Sequence, residues 1–154
     1  METLITYLTH DHERCDALLR RTQQAVAATR WMQARRAVAA FQYALERHLL
    51  IEERIIFPAF ETALGHAASP TMMMRSEHMR IRAVTHRLAD AVKAGSTQAF
   101  VVHAEALLLT LHGHSEKEEG VLYPLIESVL ARCCPDVLDI ARAFGCWDER
   151  ERVA

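Results

Sequence analysis

Glycine and proline are scarce in this 154-residue chain, at five and four residues. So few turn formers argue against a fold built from many short strands and hairpins. An excess of one charge is also missing: 18 Lys and Arg face 20 Asp and Glu, for a net charge of −2. That balance removes any general electrostatic case for nucleic acid or an anionic membrane as a partner. Long apolar runs are lacking too. The longest, near residues 104–111, is interrupted by Glu105 and flanked by His103 and His112, too short and too polar to span a bilayer. Residues Met1 to Tyr7 show neither the basic nor the apolar region of a signal peptide. The four cysteines, Cys15, Cys133, Cys134 and Cys146, form neither a disulfide framework nor a CxxC pair. A cytoplasmic protein is the expectation.

What is present favours helices. Hydrophobic residues make up 51% and charged residues 25%, enough for one domain with a real core. Apolar positions recur at helical spacing almost throughout. Leu4, Leu8, Cys15, Leu18, Leu19 and Val26 mark a first helix ending near Thr29, and Trp31 to Ile56 a second. The segment Gly65 to Pro70 is the clearest break, with Ser69 as N-cap and Pro70 at the first helical position. A third helix carries Met74, Ile81, Leu88 and Val92 and stops at Gly95. Ser96 or Thr97 caps a fourth, which runs to about Arg132, and a short amphipathic segment from Val137 to Phe144 ends at Gly145. Residues 149–154 read as a loose tail.

One motif is written twice. His48 and Glu52 form an HxxxE, His114 and Glu118 a second, and a single His precedes each by 36 positions, His12 and His78. Every member of the first set recurs 66 positions later, and Glu53 and Glu119, Phe57 and Tyr123, Pro58 and Pro124 keep the same register. Four residues advance about 400° round a helix, so each His and Glu project from one face, ~6 Å apart along the axis. In antiparallel hairpins, residues level with one another lie equally far from the turn. The midpoints of His12 and His48, Glu52 and His78, and His78 and His114 fall at 30, 65 and 96, matching the predicted breaks. An up-down-up-down four-helix bundle therefore brings all six into one layer.

Four imidazoles and two carboxylates form a ligand set for two metal ions. The mix suits first-row transition metals, iron especially, and a carboxylate can bridge two of them. In a dry bundle core these groups would be heavily penalised with nothing to coordinate. Glu53 and Glu119 lie about 100° further round and are expected at the surface or behind the ligands, with Glu119 the alternative to Glu118. His10, His66, His86, His103 and His112 are expected to be structural or exposed; His103 shares the face of His114 about three turns away. Cys15 is expected to fill core one turn from His12. Cys133 and Cys134 are expected as ordinary thiols at a helix end, and Met72, Met73 and Met74 as packing. Pro58 and Pro124 predict a shared kink.

These residues, Asp11-His12, His48xxxGlu52-Glu53 with Pro58, Glu77-His78, and His114xxxGlu118-Glu119 with Pro124, resemble the hemerythrin family, more narrowly its HHE cation-binding branch. The resemblance covers roughly residues 3–132. It implies an all-α, up-down-up-down bundle over residues 1–132, with a short C-terminal helix and tail over 133–154. It also implies a non-haem, carboxylate-bridged di-iron site, with zinc or manganese as substitutes. His12 and His48 would serve one iron, His78 and His114 the other, and Glu52 and Glu118 would bridge. Arg82 stands where the oxygen-carrying members have a further His, so the four-His, two-Glu set looks closer to the iron–sulfur-cluster repair relatives. The implied function is binding or sensing of O₂ or NO, or protection against them. The alternatives are a di-iron enzyme in NO or peroxide reduction, iron donation for cluster repair, and iron storage or buffering.

Overall fold

The computed structural model describes residues 2–66 and 69–144. Ala67, Ala68, Gly145, Cys146, Trp147 and the expected tail lie outside the described residues. Among those described there is no strand, and no helix is long and apolar enough to cross a membrane. Helices α1 (Leu4–Ala27), α2 (Trp31–Ile51), α4 (Ser69–Ala94) and α5 (Thr97–Lys117) form the shaft of a bundle. Helix α2 runs through a π-helical turn (Glu52–Ile56) into α3 (Phe57–Leu64), and α5 through another (Glu118–Leu122) into α6 (Tyr123–Cys133). A last helix, α7 (Val137–Ala143), packs against α1 and the first π turn. The bundle closes on itself: α1 packs on α2 and on α5–α6, and α4 packs on α2 and on α5.

Three connections end their helices in the same way. Gly65 at φ 77° and Gly95 at φ 66° adopt the left-handed conformation that glycine reaches without a Cβ penalty. The amide of Gly95 bonds Val92 O and that of Ser96 bonds Ala91 O, the paired bonds that satisfy the last carbonyls of a helix. The Gly65 and His66 amides repeat this on Thr62 and Glu61. At the first connection Thr29 does the same work at φ 53°, with its amide on Val26 O and that of Arg30 on Ala25 O. A β-branched residue is costly there. Ser96 caps α5 by accepting the Ala99 amide at 3.2 Å, as its side chain predicts.

The two prolines bend the chain in a particular way. Pro58 and Pro124 sit in the first turn of α3 and α6, where the missing N–H costs least. Just before each, the ladder widens: the Phe57 amide reaches back to Glu52 O, and the Tyr123 amide to Glu118 O. The kink expected from sequence is thus a π turn that begins on the Glu of each HxxxE, a form that recurs at functional sites.

The apolar core is split in two. One cluster, from Cys15 and Leu18 through Phe41 and Leu45 to Leu88, Val92 and Leu107, fills the end that carries the Thr29 and Gly95 turns. The other, with Leu4, Leu8, Ile56, Phe57, Phe60, Leu122, Tyr123 and Ile126, fills the opposite end under Val137 and Ala141 of α7. Between them lies a layer of buried polar residues. Cys15 is core as expected, and Met74 packs inside, but Met72 and Met73 are exposed. They share a turn of α4 with Met74 but point away from the core, so only one of the three methionines does the packing the sequence suggested. Trp31 is half-buried against Gly95.

A non-glycine residue in the left-handed region costs about 1–2 kcal/mol, while glycine adds about 0.5–1 kcal/mol of chain entropy. Thr29→Gly is therefore expected to stabilise the protein by about 0.5 kcal/mol or more. Urea unfolding checks it: the midpoint should rise at unchanged m, and a fall would show that the Thr29 conformation carries no strain.

Candidate metal centre

The layout places all six motif residues in the polar layer. His48, Glu52, His78, His114 and Glu118 are buried, and His12 is nearly so, its side chain 11% exposed. Their inward atoms converge. His12 Nε2 lies 3.0 Å from His48 Nε2 and 3.2 Å from Glu118 Oε2. Glu52 Oε2 lies 3.5 Å from His48 Nε2 and 3.3 Å from His78 Nε2. Glu118 Oε1 lies 3.0 Å from His114 Nε2 and 3.9 Å from His78 Nε2. Two groups of donors within 4.8 Å of one another result: Glu52, His78, His114 and Glu118, and His12, His48 and Glu118.

Whether these residues suit metal ions can be tested on two observations. First, Glu52 Oε2, His78 Nε2, His114 Nε2 and Glu118 Oε1 are all buried without a hydrogen-bond partner. Buried polar atoms without a hydrogen bond are rare, and here four converge and meet only other donors of the layer. Second, a first-row ion holds imidazole and carboxylate at about 2.0–2.2 Å, which sets ligand-to-ligand edges of about 3.0–3.5 Å. Most of the spacings above are of that size. The donor set fits a metal.

The outward nitrogens face carboxylates, and two of the four contacts cross between the repeats. His12 Nδ1 bonds Glu119 at 2.7 Å, and His78 Nδ1 bonds Glu53 at 2.8 Å. Each of these Glu residues belongs to the repeat opposite its His. His114 Nδ1 bonds Glu77 at 2.9 Å, and the matching carboxylate Asp11 faces His48 Nδ1 at 3.7 Å. Carboxylates so placed fix ring orientation and tautomer, leaving Nε2 to point inward. Cations stand behind three of the four. Arg82 binds Glu53 through Nη1 at 2.8 Å and Nη2 at 3.1 Å, and also holds Glu46. Lys117 pairs with Glu77. The buried Arg47 lies 3.5 Å from Asp11 and donates to the Tyr7 hydroxyl at 3.0 Å, which in turn reaches Ala141 O on α7.

Glu53 and Glu119 are thus neither inward donors nor free surface groups; the π turns bring them behind the imidazoles of the other half. Tyr123 is the site residue that the motif alone missed. Its buried hydroxyl lies 2.7 Å from Glu52 Oε1, 3.0 Å from Glu118 Oε2 and 3.2 Å from His12 Nε2. The repeat register pointed to it, paired with Phe57, but not to its hydroxyl. Of the other histidines, His10, His66, His86 and His112 are exposed and His103 is half-buried. Cys133 is exposed at the end of α6 beside Cys134.

Ion pairing outweighs burial in setting the titration of the layer without metal. Burial disfavours the imidazolium of His12, but Glu118, Glu119 and Glu52 raise its pKa to about 9. Burial likewise opposes charge on His78, where Glu118, Glu52 and Glu53 prevail and raise it to about 11. His114 is raised in the same way by Glu118, Glu52 and Glu77, against its burial. Burial would raise Glu118, yet the three imidazoles hold it well below the usual carboxylate range. Glu53, despite burial, is lowered to about 2 by His78 and Arg82.

A raised folded-state pKa contributes stability that is complete below the unfolded value and vanishes as pH rises through the folded one. For His12 the window runs from 6.5 to about 9, and for His78 from 6.5 to about 11. Metal-free protein should therefore melt at progressively lower temperature from pH 6.5 upward, followed by circular dichroism with chelator at constant ionic strength. A flat melting temperature between pH 6.5 and 10 would show that these pairs do not form.

Comparison with known proteins agrees with this geometry. No curated protein and no solved structure matches the chain. A family model, described as hemerythrin HHE cation binding domain, matches residues 3–126 and so covers every member of the buried layer. With its all-helical bundle and buried His and Glu cluster, the chain belongs to the hemerythrin family and is a metal-binding domain.

Proposed function

We propose that the protein holds two iron ions, one at His12 and His48 and one at His78 and His114, bridged by Glu52 and Glu118, and binds or senses O₂ or NO or protects against them. Four inward atoms, Glu52 Oε2, His78 Nε2, His114 Nε2 and Glu118 Oε1, carry this reading: they make no hydrogen bond, meet only other donors of the layer, and converge as a mixed imidazole and carboxylate donor set. When bound, an iron pair supplies open coordination positions and electrons to a diatomic molecule.

The chain's own residues do the rest. Glu119, Asp11, Glu53 and Glu77 orient the four rings from behind. The apolar clusters on either side exclude water from the layer. His12 and its exposed partner Glu119 give the site its one partly open side among the six, the natural approach for a small ligand. Arg82, in place of a fifth inward His, turns away to Glu46 and Glu53 and leaves coordination open. That opening favours a second reading, a di-iron enzyme reducing NO or peroxide or an iron donor for cluster repair. Storage of iron would need neither the opening nor the oriented rings. The reading places the protein in the cytoplasm.

Elemental analysis of protein purified without a His-tag should give two irons per chain, and His114→Ala should lower the bound metal sharply, by one ion per chain or more. Full retention in that variant would remove His114 from the site, and zinc or manganese at two per chain would keep the site but change its chemistry. Loading should also release protons. Ligating imidazoles are neutral, whereas His12 and His78 are charged at pH 7 without metal. Calorimetry in buffers of different ionisation enthalpy should show at least these two protons released per chain. Release of none would refute the charged metal-free layer.

A further inference from the structure

The two repeats differ by one hydroxyl at a buried position inside the site. Phe57 follows Glu52 by five residues, and Tyr123 follows Glu118 by five. Each ring stacks on a histidine of the other repeat in nearly the same pose: Phe57 on His78 at 5.9 Å and 23°, Tyr123 on His12 at 5.7 Å and 22°. Packing is therefore matched, and only the Tyr123 oxygen has no counterpart.

That oxygen carries one proton and lies within reach of two carboxylates. The shorter contact, 2.7 Å, is to Glu52 Oε1, against 3.0 Å to Glu118 Oε2. With the proton given to Glu52 Oε1, Glu52 keeps a single oxygen, Oε2, for the inner layer, 3.3 Å from His78 Nε2 and 3.5 Å from His48 Nε2. Glu118 offers both oxygens, Oε1 toward His114 and His78, Oε2 toward His12. The halves end unequal. Glu52, His78, His114 and Glu118 form a compact four-donor group, whereas His12, His48 and Glu118 form one of three, with the phenol 3.2 Å from His12 Nε2.

We propose that Tyr123 is a positioning residue that makes the two metal positions unequal, occupying Glu52 Oε1 so that Oε2 alone is left to serve both. The His78–His114 position then fills first, and the His12–His48 position second and more weakly. The proposal rests on the paired-ion reading. It also gives the partly open side of the site, at His12, to the more weakly held ion.

The test is an anaerobic titration of the metal-stripped full chain with Co²⁺, followed by calorimetry and by the visible absorption of the bound ion. The unaltered protein should take up two ions in two resolved steps. His114→Ala should remove the tighter step and His12→Ala the weaker one. In Tyr123→Phe the first repeat already shows that phenylalanine packs beside the layer, so the fold should hold. Freeing Glu52 Oε1 should strengthen the second step and shrink the ratio of the two affinities by ~10-fold or more. A purely structural role for the hydroxyl would shift the melting temperature of the metal-free protein and leave that ratio alone. An unchanged ratio in Tyr123→Phe, two indistinguishable steps in the unaltered protein, or loss of the tighter step in His12→Ala would each overturn the proposal. Fewer than two ions in the unaltered protein is a different failure: it removes the paired-ion reading and this inference with it.

Discussion

Burying charge sets the terms for this bundle. Four imidazoles and two carboxylates occupy one layer between two apolar clusters. An ion taken out of water costs several kcal/mol even after the protein relaxes, and attraction repays this only where geometry is good and remaining atoms are satisfied. The outward nitrogens of three imidazoles meet that condition through hydrogen bonds to carboxylates, and the fourth faces Asp11. Of the inward atoms, Glu52 Oε2, His78 Nε2, His114 Nε2 and Glu118 Oε1 make no hydrogen bond and pair only with other donors of the layer. Well-formed hydrogen bonds thus hold three of the rings from outside, while at the centre imidazoles and carboxylates meet one another, an arrangement that suits a cation.

Backbone and side chains solve this problem together. At the start of the first π turn Glu52 faces in while Glu53, the next residue, grips His78 on the neighbouring helix. The same turn at Glu118 gives Glu119 its hold on His12. The prolines that follow sit where a missing amide does least harm, so the wide turn is built in where the donors need it. Arg82 anchors Glu53 and Glu46 together and ties α4 to α2 beside the site. Arg47 carries the linkage further, from Asp11 through Tyr7 to α7.

Much of this was legible in the sequence, for identifiable reasons. The doubled HxxxE has one offset and helical spacing, and the bundle's turns at Gly65 and Gly95 follow from glycine's access to positive φ. The turn at Thr29 carried no such signal, since threonine is a poor left-handed residue; the end of the apolar spacing and the equal heights of His12 and His48 marked it. Pro58 and Pro124 announced a bend but not its form, because a missing N–H does not say which carbonyl the preceding amide will seek. Pairing Phe57 with Tyr123 by register hid the phenol, which matters only once four elements bring it to Glu52 and His12. The outward faces of Met72 and Met73 were hidden as well, since three consecutive methionines cannot share one side of a helix.

The crossed grip of Glu53 on His78 and Glu119 on His12 has a meaning in symmetry. One repeat alone carries a pair of imidazoles but lacks the carboxylate that steadies the first of them. Two copies facing each other about a twofold axis supply each other's missing part, as in an isologous dimer. The repeated motif and its crossed contacts give this chain the logic of such a dimer written as a single polypeptide. Joining the halves released each from having to be its partner's twin, and a hydroxyl on one side of the axis is something no true homodimer of a single repeat can possess.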